Sequence, residues 1–177
     1  MKNLLVLILA VCSLFSYAQN TITWGMPMNV SSNAYGNAHP LMEMNADGNP
    51  LVIWGRMSDA SVYFSRWTGA TFTTPVKLNP SWMTVAAMSW EGPDIASKGD
   101  TVYVVMKETP EGDTASHVYL VRSYDGGMTF SAPYQVDNIA DSICRFPTVT
   151  VNGSGNPIVA FMKFDPGFGN ARWVVAK

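Results

Sequence analysis

Short apolar runs separated by turn residues recur along the chain after residue 18. Three runs follow turns that are rich in Gly, Asp or Asn, and they lie at 51–54, 102–106 and 158–162. Another short segment with strand-like composition follows each run, at 62–67, 118–123 and 172–177. No stretch of ten or more residues in this region has the 3.6-residue period of an amphipathic helix. The pattern therefore predicts an all-β protein built from short strands.

The strand pattern repeats about every 50 residues. Pro40, Pro93 and Pro147 each precede a set of strands and are 53 and 54 residues apart. A second element of the repeat reads Thr, aromatic, two residues, Pro, two residues, aliphatic, and it occurs at 23–30, 71–78 and 129–136. Four short antiparallel strands in a unit of this length are typical of a β-propeller blade.

The repeat predicts an incomplete β-propeller with about three partial blades. We expect blades at 38–79 and 90–138, an incomplete blade at 144–177 and an unaccompanied outer strand at 21–30. Unpaired strand edges promote association between chains. We therefore expect residues 19–177 alone to be oligomeric, aggregated or partly folded.

The first 18 residues are predicted to be a cleaved export signal. Lys2 precedes a short apolar run, and Ser16-Tyr17-Ala18 has small residues at the two positions that a signal peptidase reads. The run is shorter than the ~20 residues that span a bilayer. We expect a mature protein, 19–177, that begins at Gln19, is secreted or held at a bacterial cell surface, and has no membrane span.

Composition argues against several classes of partner. The formal net charge of −2 at pH 7 gives no basic surface for nucleic acid. Only Cys144 would remain after signal cleavage, so no internal disulfide can form. His39 and His117 lack metal-ligand spacing to Cys144, and we expect neither a metal nor another cofactor.

One segment carries a more specific motif. Ser123, Asp125, Gly127, Thr129 and Phe130 fit the pattern S-x-D-x-G-x-T-[FW] at every fixed position. Segment 65–72 is a degraded copy with Trp in the aspartate position, and 23–24 keeps only the end of the motif. An aspartate in such a turn accepts hydrogen bonds from backbone amides, and a glycine permits positive φ.

This motif resembles the Asp-box, or bacterial neuraminidase repeat, of sialidase-like β-propellers. The resemblance covers essentially all of residues 21–177. It implies a structural turn between the third and fourth strands of a blade, away from the active site. We therefore expect no catalytic role for Asp125.

In propellers of this family the ligand lies on the opposite side, where loops join the second strand to the third and one blade to the next. The longest such loop, 79–92, contains Trp82, Trp90 and Glu91, and the loop 56–61 contains Arg56 and Asp59. The two tryptophans either stack on a sugar ring or pack between blades, and we expect the packing. For Glu91 the alternative to a ligand contact is a solvated loop charge, which is our expectation.

Resemblance to sialidases also suggests a role for Arg145. In that family three arginines hold the carboxylate of the substrate, and the first lies in a motif that opens a blade. Cys144-Arg145-Phe146-Pro147 is similar to it in spacing, with Cys in place of the aromatic residue and Phe in place of Ile. A guanidinium binds a carboxylate through two parallel hydrogen bonds. The alternative is an ordinary exposed arginine.

Two functions remain open at this point. The first is a non-catalytic propeller that binds carbohydrate or protein, and it is favoured because segment 169–172 lacks the acid that a sialidase would place there. The second is the amino-terminal part of an exo-sialidase-type glycoside hydrolase, with its remaining catalytic residues beyond residue 177. We assign no catalytic residue in this chain and expect it to be inactive as it stands.

Overall fold

The structure is a computed structural model that describes residues 22–109, 115–138, 143–165 and 170–176. The predicted export signal lies outside these residues. The described part is all-β, as predicted, with two single-turn 3-10 helices at Asn33–Tyr35 and Met57–Asp59. In this part of the chain no helix is long and apolar enough to cross a membrane.

Eleven strands in the described residues form three antiparallel sheets. The first sheet contains β1 (Asn37–Met44), β2 (Pro50–Arg56), β3 (Ser61–Arg66) and β4 (Val76–Lys77). The second contains β5 (Asp94–Lys98), β6 (Thr101–Lys107), β7 (Val118–Ser123) and β8 (Tyr134–Gln135). The third contains β9 (Ile143–Val151), β10 (Pro157–Phe164) and β11 (Ala171–Ala176). In each sheet the strands pair in chain order.

Two apolar layers join the sheets face to face in the order first, second, third. One layer combines Ile53 and Phe64 of the first sheet with Val104 and Val121 of the second. The other combines residues such as Leu120 of the second sheet with residues of the third, including Val149, Val159 and Phe161. The alternation of side chains along β6 and β7 makes this possible, because successive residues point to opposite faces of a sheet.

The first strands of the three sheets lie next to one another. Strand β5 contacts β1 on one side and β9 on the other. The starts of β5 and β9 and the end of β6 therefore lie at one edge of the stack, which positions the candidate site. The three sheets do not close into a ring within the described residues.

The predicted outer strand at 21–30 is not formed. Residues 22–29 belong to no strand, and all of them are exposed. A strand requires a neighbour for its ladder hydrogen bonds, and no described strand lies beside this segment.

Candidate functional site

The Ser123–Phe130 turn is built around the carboxylate of Asp125. Its Oδ1 accepts hydrogen bonds from the Met128 and Thr129 amides, both at 2.9 Å, and from Ser123 Oγ at 2.6 Å. Its Oδ2 accepts one from Thr129 Oγ1 at 2.6 Å. Hydrogen bonds from Ser123 and Thr129 hold the pKa of Asp125 well below its usual range. All four of these hydrogen bonds come from residues of the turn itself, as expected for a structural aspartate.

The degraded copy of this turn is held differently. Trp67 occupies the aspartate position and packs edge-on against Phe72, with ring centroids 5.3 Å apart. Thr68 accepts and donates hydrogen bonds across the same turn to Thr71. This turn is therefore closed by the Thr68–Thr71 hydrogen bonds, and an aromatic pair packs where the intact motif has its carboxylate.

A compact charged cluster lies at the edge where β5 and β9 begin. Glu91 is 2% exposed, and its Oε1 accepts a hydrogen bond from the Phe146 amide at 3.0 Å. Its Oε2 lies 3.6 Å from Nζ of Lys107, which is also buried. The loop before β5, the end of β6 and the start of β9 are therefore joined by one carboxylate.

Lys107 is a buried cation of this cluster. Burial lowers its pKa, Glu91 acts in the opposite direction, and the nearby positive charge of Arg145 adds to the lowering. Since the side chain of Glu91 is 1% exposed and that of Lys107 7%, neither can contact a ligand directly. Their role in this arrangement is to hold the backbone around residue 146.

Arg145 and Trp90 form the accessible part of the cluster. The guanidinium carbon lies 5.5 Å from the centroid of the Trp90 ring, within the range of a cation–π contact. Trp90 is 52% exposed and packs edge-on against Phe146, with ring centroids 6.2 Å apart. The cluster thus presents a half-exposed aromatic surface beside a positive charge.

His39 reaches the same place from the first sheet. A Cβ on Gly92 would lie 2.6 Å from Cγ of the His39 ring, so the ring packs directly against the backbone next to Glu91. His39 and Phe146 occupy equivalent positions before Pro40 and Pro147 and both have a φ of 52°. A register shift between neighbouring strands accompanies each of these residues. The repeat therefore brings two strained backbone positions to the edge that carries the cluster.

The remaining candidates lie apart from this cluster. Arg56 donates to both oxygens of Asp59, at 2.9 and 2.7 Å, and its guanidinium stacks 3.8 Å from the centroid of the Tyr63 ring. Its hydrogen-bonding fork is therefore occupied within the chain. Trp82 packs edge-on against Tyr119, with ring centroids 6.2 Å apart.

Two expectations from sequence are corrected here. Trp82 and Trp90 are not buried between sheets, because they are 64% and 52% exposed. Glu91 is not a solvated loop charge, because the amide of Phe146 and the ammonium of Lys107 draw it inside.

Several partners in this region were not identified from the sequence. Lys107 follows the apolar run 102–106, and a single charge at the end of a strand gave no sign of a buried ion pair. Asp94 accepts hydrogen bonds from Thr148 Oγ1 and the Val149 amide, and so links β5 to β9. His117 and Asp137 form another pair at 2.8 Å, and Asp137 also accepts from the Val118 amide. No group of three or more His, Cys, Asp or Glu side chains that could hold a metal occurs in the described residues.

Comparison with known proteins shows similarity at the level of structure. No protein-family model matches the chain, and no curated protein sequence is similar to it. An endo-arabinase from Bacteroides thetaiotaomicron VPI-5482 superposes with a TM-score of 0.53 at 13% identity, over 84% of this chain and 58% of that one. An ulvan lyase of polysaccharide lyase family 25 gives 0.56 at 11% identity, over 78% of this chain and 41% of that one. A thermostable family-43 glycoside hydrolase superposes with a TM-score of 0.54 at 11% identity, over 82% of this chain and 55% of that one.

These neighbours are carbohydrate-active enzymes with propeller folds. At 11–13% identity the similarity shows the fold alone. The chain spans about half the length of these structures.

Proposed function

We propose that this chain forms part of a sialidase-like β-propeller that binds carbohydrate, and that Arg145 and Trp90 contact an anionic sugar. The observation that carries this proposal is the guanidinium of Arg145 beside the half-exposed ring of Trp90. An aromatic face packs against the apolar face of a sugar ring, while a guanidinium pairs with a carboxylate or sulfate. Each of the two side chains supplies one part of that recognition.

The surrounding residues support the proposal through charge. Glu91 and Lys107 pair with each other, and Arg145 adds a positive charge next to this pair. The carboxylate of Glu91 also fixes the backbone at Phe146, directly after Arg145. The cation and the aromatic ring are thus held by a buried framework, which lowers the entropic cost of binding.

The same framework favours binding over catalysis in this chain. A glycoside hydrolase needs carboxyl groups that reach the scissile bond. The side chain of Glu91 is 1% exposed, and Asp94 already accepts two hydrogen bonds from β9. We therefore expect glycan binding without hydrolysis.

A pair of matched ligands tests the site. The full chain should bind a glucuronate-containing oligosaccharide at least about tenfold more tightly than the same oligosaccharide with its carboxylates reduced, because a charged hydrogen bond contributes ~1.5–3 kcal/mol. Arg145→Ala should remove the difference, and calorimetry measures both affinities. Arg66→Ala is the control, because Arg66 is the last residue of β3 and lies away from the Arg145 cluster. This variant should keep the difference in affinity between the two ligands.

Equal affinity for the two ligands would contradict the proposal. Release of monosaccharide during incubation would instead favour the hydrolase alternative.

Export through residues 1–18 is a second part of the proposal. It rests on the positive start, the apolar run and the Ser16-Tyr17-Ala18 site. Amino-terminal sequencing of the exported protein should give Gln19 as its first residue. A lipid-modified Cys12 at the mature terminus would contradict it.

A further inference from the structure

The outer-strand pattern occurs three times, but only two copies pair in the structure. The copies at 71–78 and 129–136 supply β4 and β8, which pair with β3 and β7. The copy at 23–30 has the same spacing of Thr, aromatic, Pro and aliphatic residues. Its large side chains are solvent-exposed, with Trp24 at 87%, Met26 at 88% and Met28 at 57%. An apolar segment with strand composition is thus left without a partner among the described residues.

The third sheet has the complementary feature. Strand β11 is at its edge, and no described residue pairs with the side facing away from β10. In the other two sheets the outer strand occupies that side. The exposed side chains of β11 include Trp173 at 66% and Val175 at 59%. Edges of this kind accept a strand from another chain.

The repeat fixes the register in which 23–30 would pair. Val76 is the fifth residue after Thr71 and pairs with Phe64, and Tyr134 is the fifth after Thr129 and pairs with Leu120. The strand registers lead from the residue after Pro40 to Phe64 and from the residue after Pro93 to Leu120. The same path from the residue after Pro147 leads to Val175 in β11. The fifth residue after Thr23 is Met28. The equivalent pair is therefore Met28 with Val175.

A cleft of about 680 Å³ lies where the aromatic residue of this segment would enter. It lies between the second and third sheets, and its lining includes Tyr103, Leu120, Arg122, Tyr124, Val159 and Ala176. In the preceding repeat the equivalent aromatic, Phe130, packs edge-on on Phe64 with centroids 4.9 Å apart. Leu120 holds the place of Phe64 in the second sheet. Trp24 would thus fill the cleft as Phe130 covers Phe64.

The segment does not occupy this cleft in its own chain, where Trp24 is 87% exposed. Ser31 follows it and accepts a hydrogen bond from Asn37 at the start of β1. Ser31 also lies beside Trp54 and Tyr63, on the face of the first sheet that points away from the second. The cleft, in contrast, lies beyond the second sheet. The segment therefore leaves the first sheet in the direction opposite to the cleft.

We propose that residues 23–30 of one copy of this chain pair with β11 of a second copy and insert Trp24 into the cleft between its second and third sheets. The exchange joins the first sheet of one copy to the third sheet of the other. The described residues of two copies contain six sheets, and closed propellers have roughly four to eight blades. Reciprocal exchange therefore closes after two copies as a two-fold dimer.

A disulfide between two differently tagged chains tests the register. One chain carries Met28→Cys and the other Val175→Cys, and both carry Cys12→Ser, while the remaining Cys144 is fully buried. Oxidation of the mixture should produce a species with both tags. A control mixture of Met28→Cys with Met42→Cys, an equally exposed position on β1, should not. Absence of the first product, or equal amounts of both, would overturn the proposal.

The oligomeric state provides an independent test. Light scattering should give twice the chain mass for the unaltered protein and the single-chain mass for Trp24→Ser. Trp82→Ser removes another exposed tryptophan outside the segment and should remain dimeric. A monomeric unaltered protein, or a dimer that survives Trp24→Ser, would contradict the exchange. Neither substitution touches Arg145, so the glycan affinity per chain should stay the same in both variants. Measuring this affinity therefore distinguishes failure of the exchange from failure of the proposed function.

Discussion

The ring of Phe64 in the first sheet lies directly against the backbone of Gly127 in the second. A Cβ on residue 127 would lie 2.3 Å from Phe64 Cζ, far inside van der Waals contact. Gly127 also has a φ of 84°, in the region that L side chains rarely adopt. The glycine of the Ser123–Phe130 turn thus serves both the turn and the packing between two sheets.

Gly127→Ala should therefore be strongly destabilising. The positive φ costs about 1–2 kcal/mol and the overlap with Phe64 about 1–3 kcal/mol, so we expect a loss of about 2–5 kcal/mol in the free energy of unfolding. Gly69→Ala is the matched control in the degraded copy of the turn, where φ is 95° and no atom lies within 4 Å of the added Cβ. Gly69→Ala should lower the free energy of unfolding only by the about 1–2 kcal/mol that the positive φ costs. Urea titrations measure the free energy of unfolding of both variants. Equal losses in the two variants would show that the contact with Phe64 does not contribute to stability.

Acid should weaken the Ser123–Phe130 turn. The pKa of Asp125 is lowered in the folded chain, so its stabilising effect is fully present above the unfolded value near 4 and is lost as the pH falls below it. Asp125→Asn should lower the Tm at pH 6 and flatten the dependence of Tm on pH between about 4 and 2.5.

The control for this experiment is Asp47→Asn, an exposed carboxylate in the turn between β1 and β2. Asp47→Asn should lower the Tm at pH 6 less than Asp125→Asn does. The same slope for Asp125→Asn and the unaltered protein would mean that the carboxylate does not stabilise the turn. Glycan affinity at pH 7 should not change in either variant, because this turn is remote from the Arg145 cluster.

The buried thiol of Cys144 reports on the junction of the second and third sheets. Cys144 is 0% exposed, and burial raises its pKa to about 12. Alkylation of the native protein at pH 8 should therefore be slow and should become fast on unfolding. The raised pKa also contributes stability below about pH 9 that is lost as the pH rises toward 12. Cys144→Ala should reduce this alkaline loss, and rapid alkylation of the native chain would contradict the packing.

Local pattern was sufficient to predict the strands and the turn, but not the charged cluster. Alternation along β6 and β7 and the spacing of Ser123, Asp125 and Gly127 depend on neighbours within a few residues. The partners of Glu91 are 16 and 55 residues away in the chain, and only the stacking of the sheets brings them together. The burial of Glu91 therefore depends on the tertiary structure and could not be predicted from its sequence neighbours.

The tryptophans illustrate the same limit. Their size suggested burial, yet Trp90 is held at the surface by Phe146 on one side and Arg145 on the other. Both contacts come from β9, more than 50 residues later in the chain. Segment 23–30 fits the strand pattern as well as β4 and β8 do, but no described strand lies beside it to form a ladder.

The pair of Glu91 and Lys107 should be strongly coupled. Removing one member of a buried ion pair leaves the other charge without compensation, which costs about 3–5 kcal/mol. Glu91→Gln and Lys107→Met should each lower the free energy of unfolding by about this amount. The double variant should lose less than either single variant, because the glutamine can still accept the Phe146 amide and no buried charge remains. Urea titration of the four proteins gives the coupling energy, and additive losses would mean that the two charges at 3.6 Å do not stabilise each other.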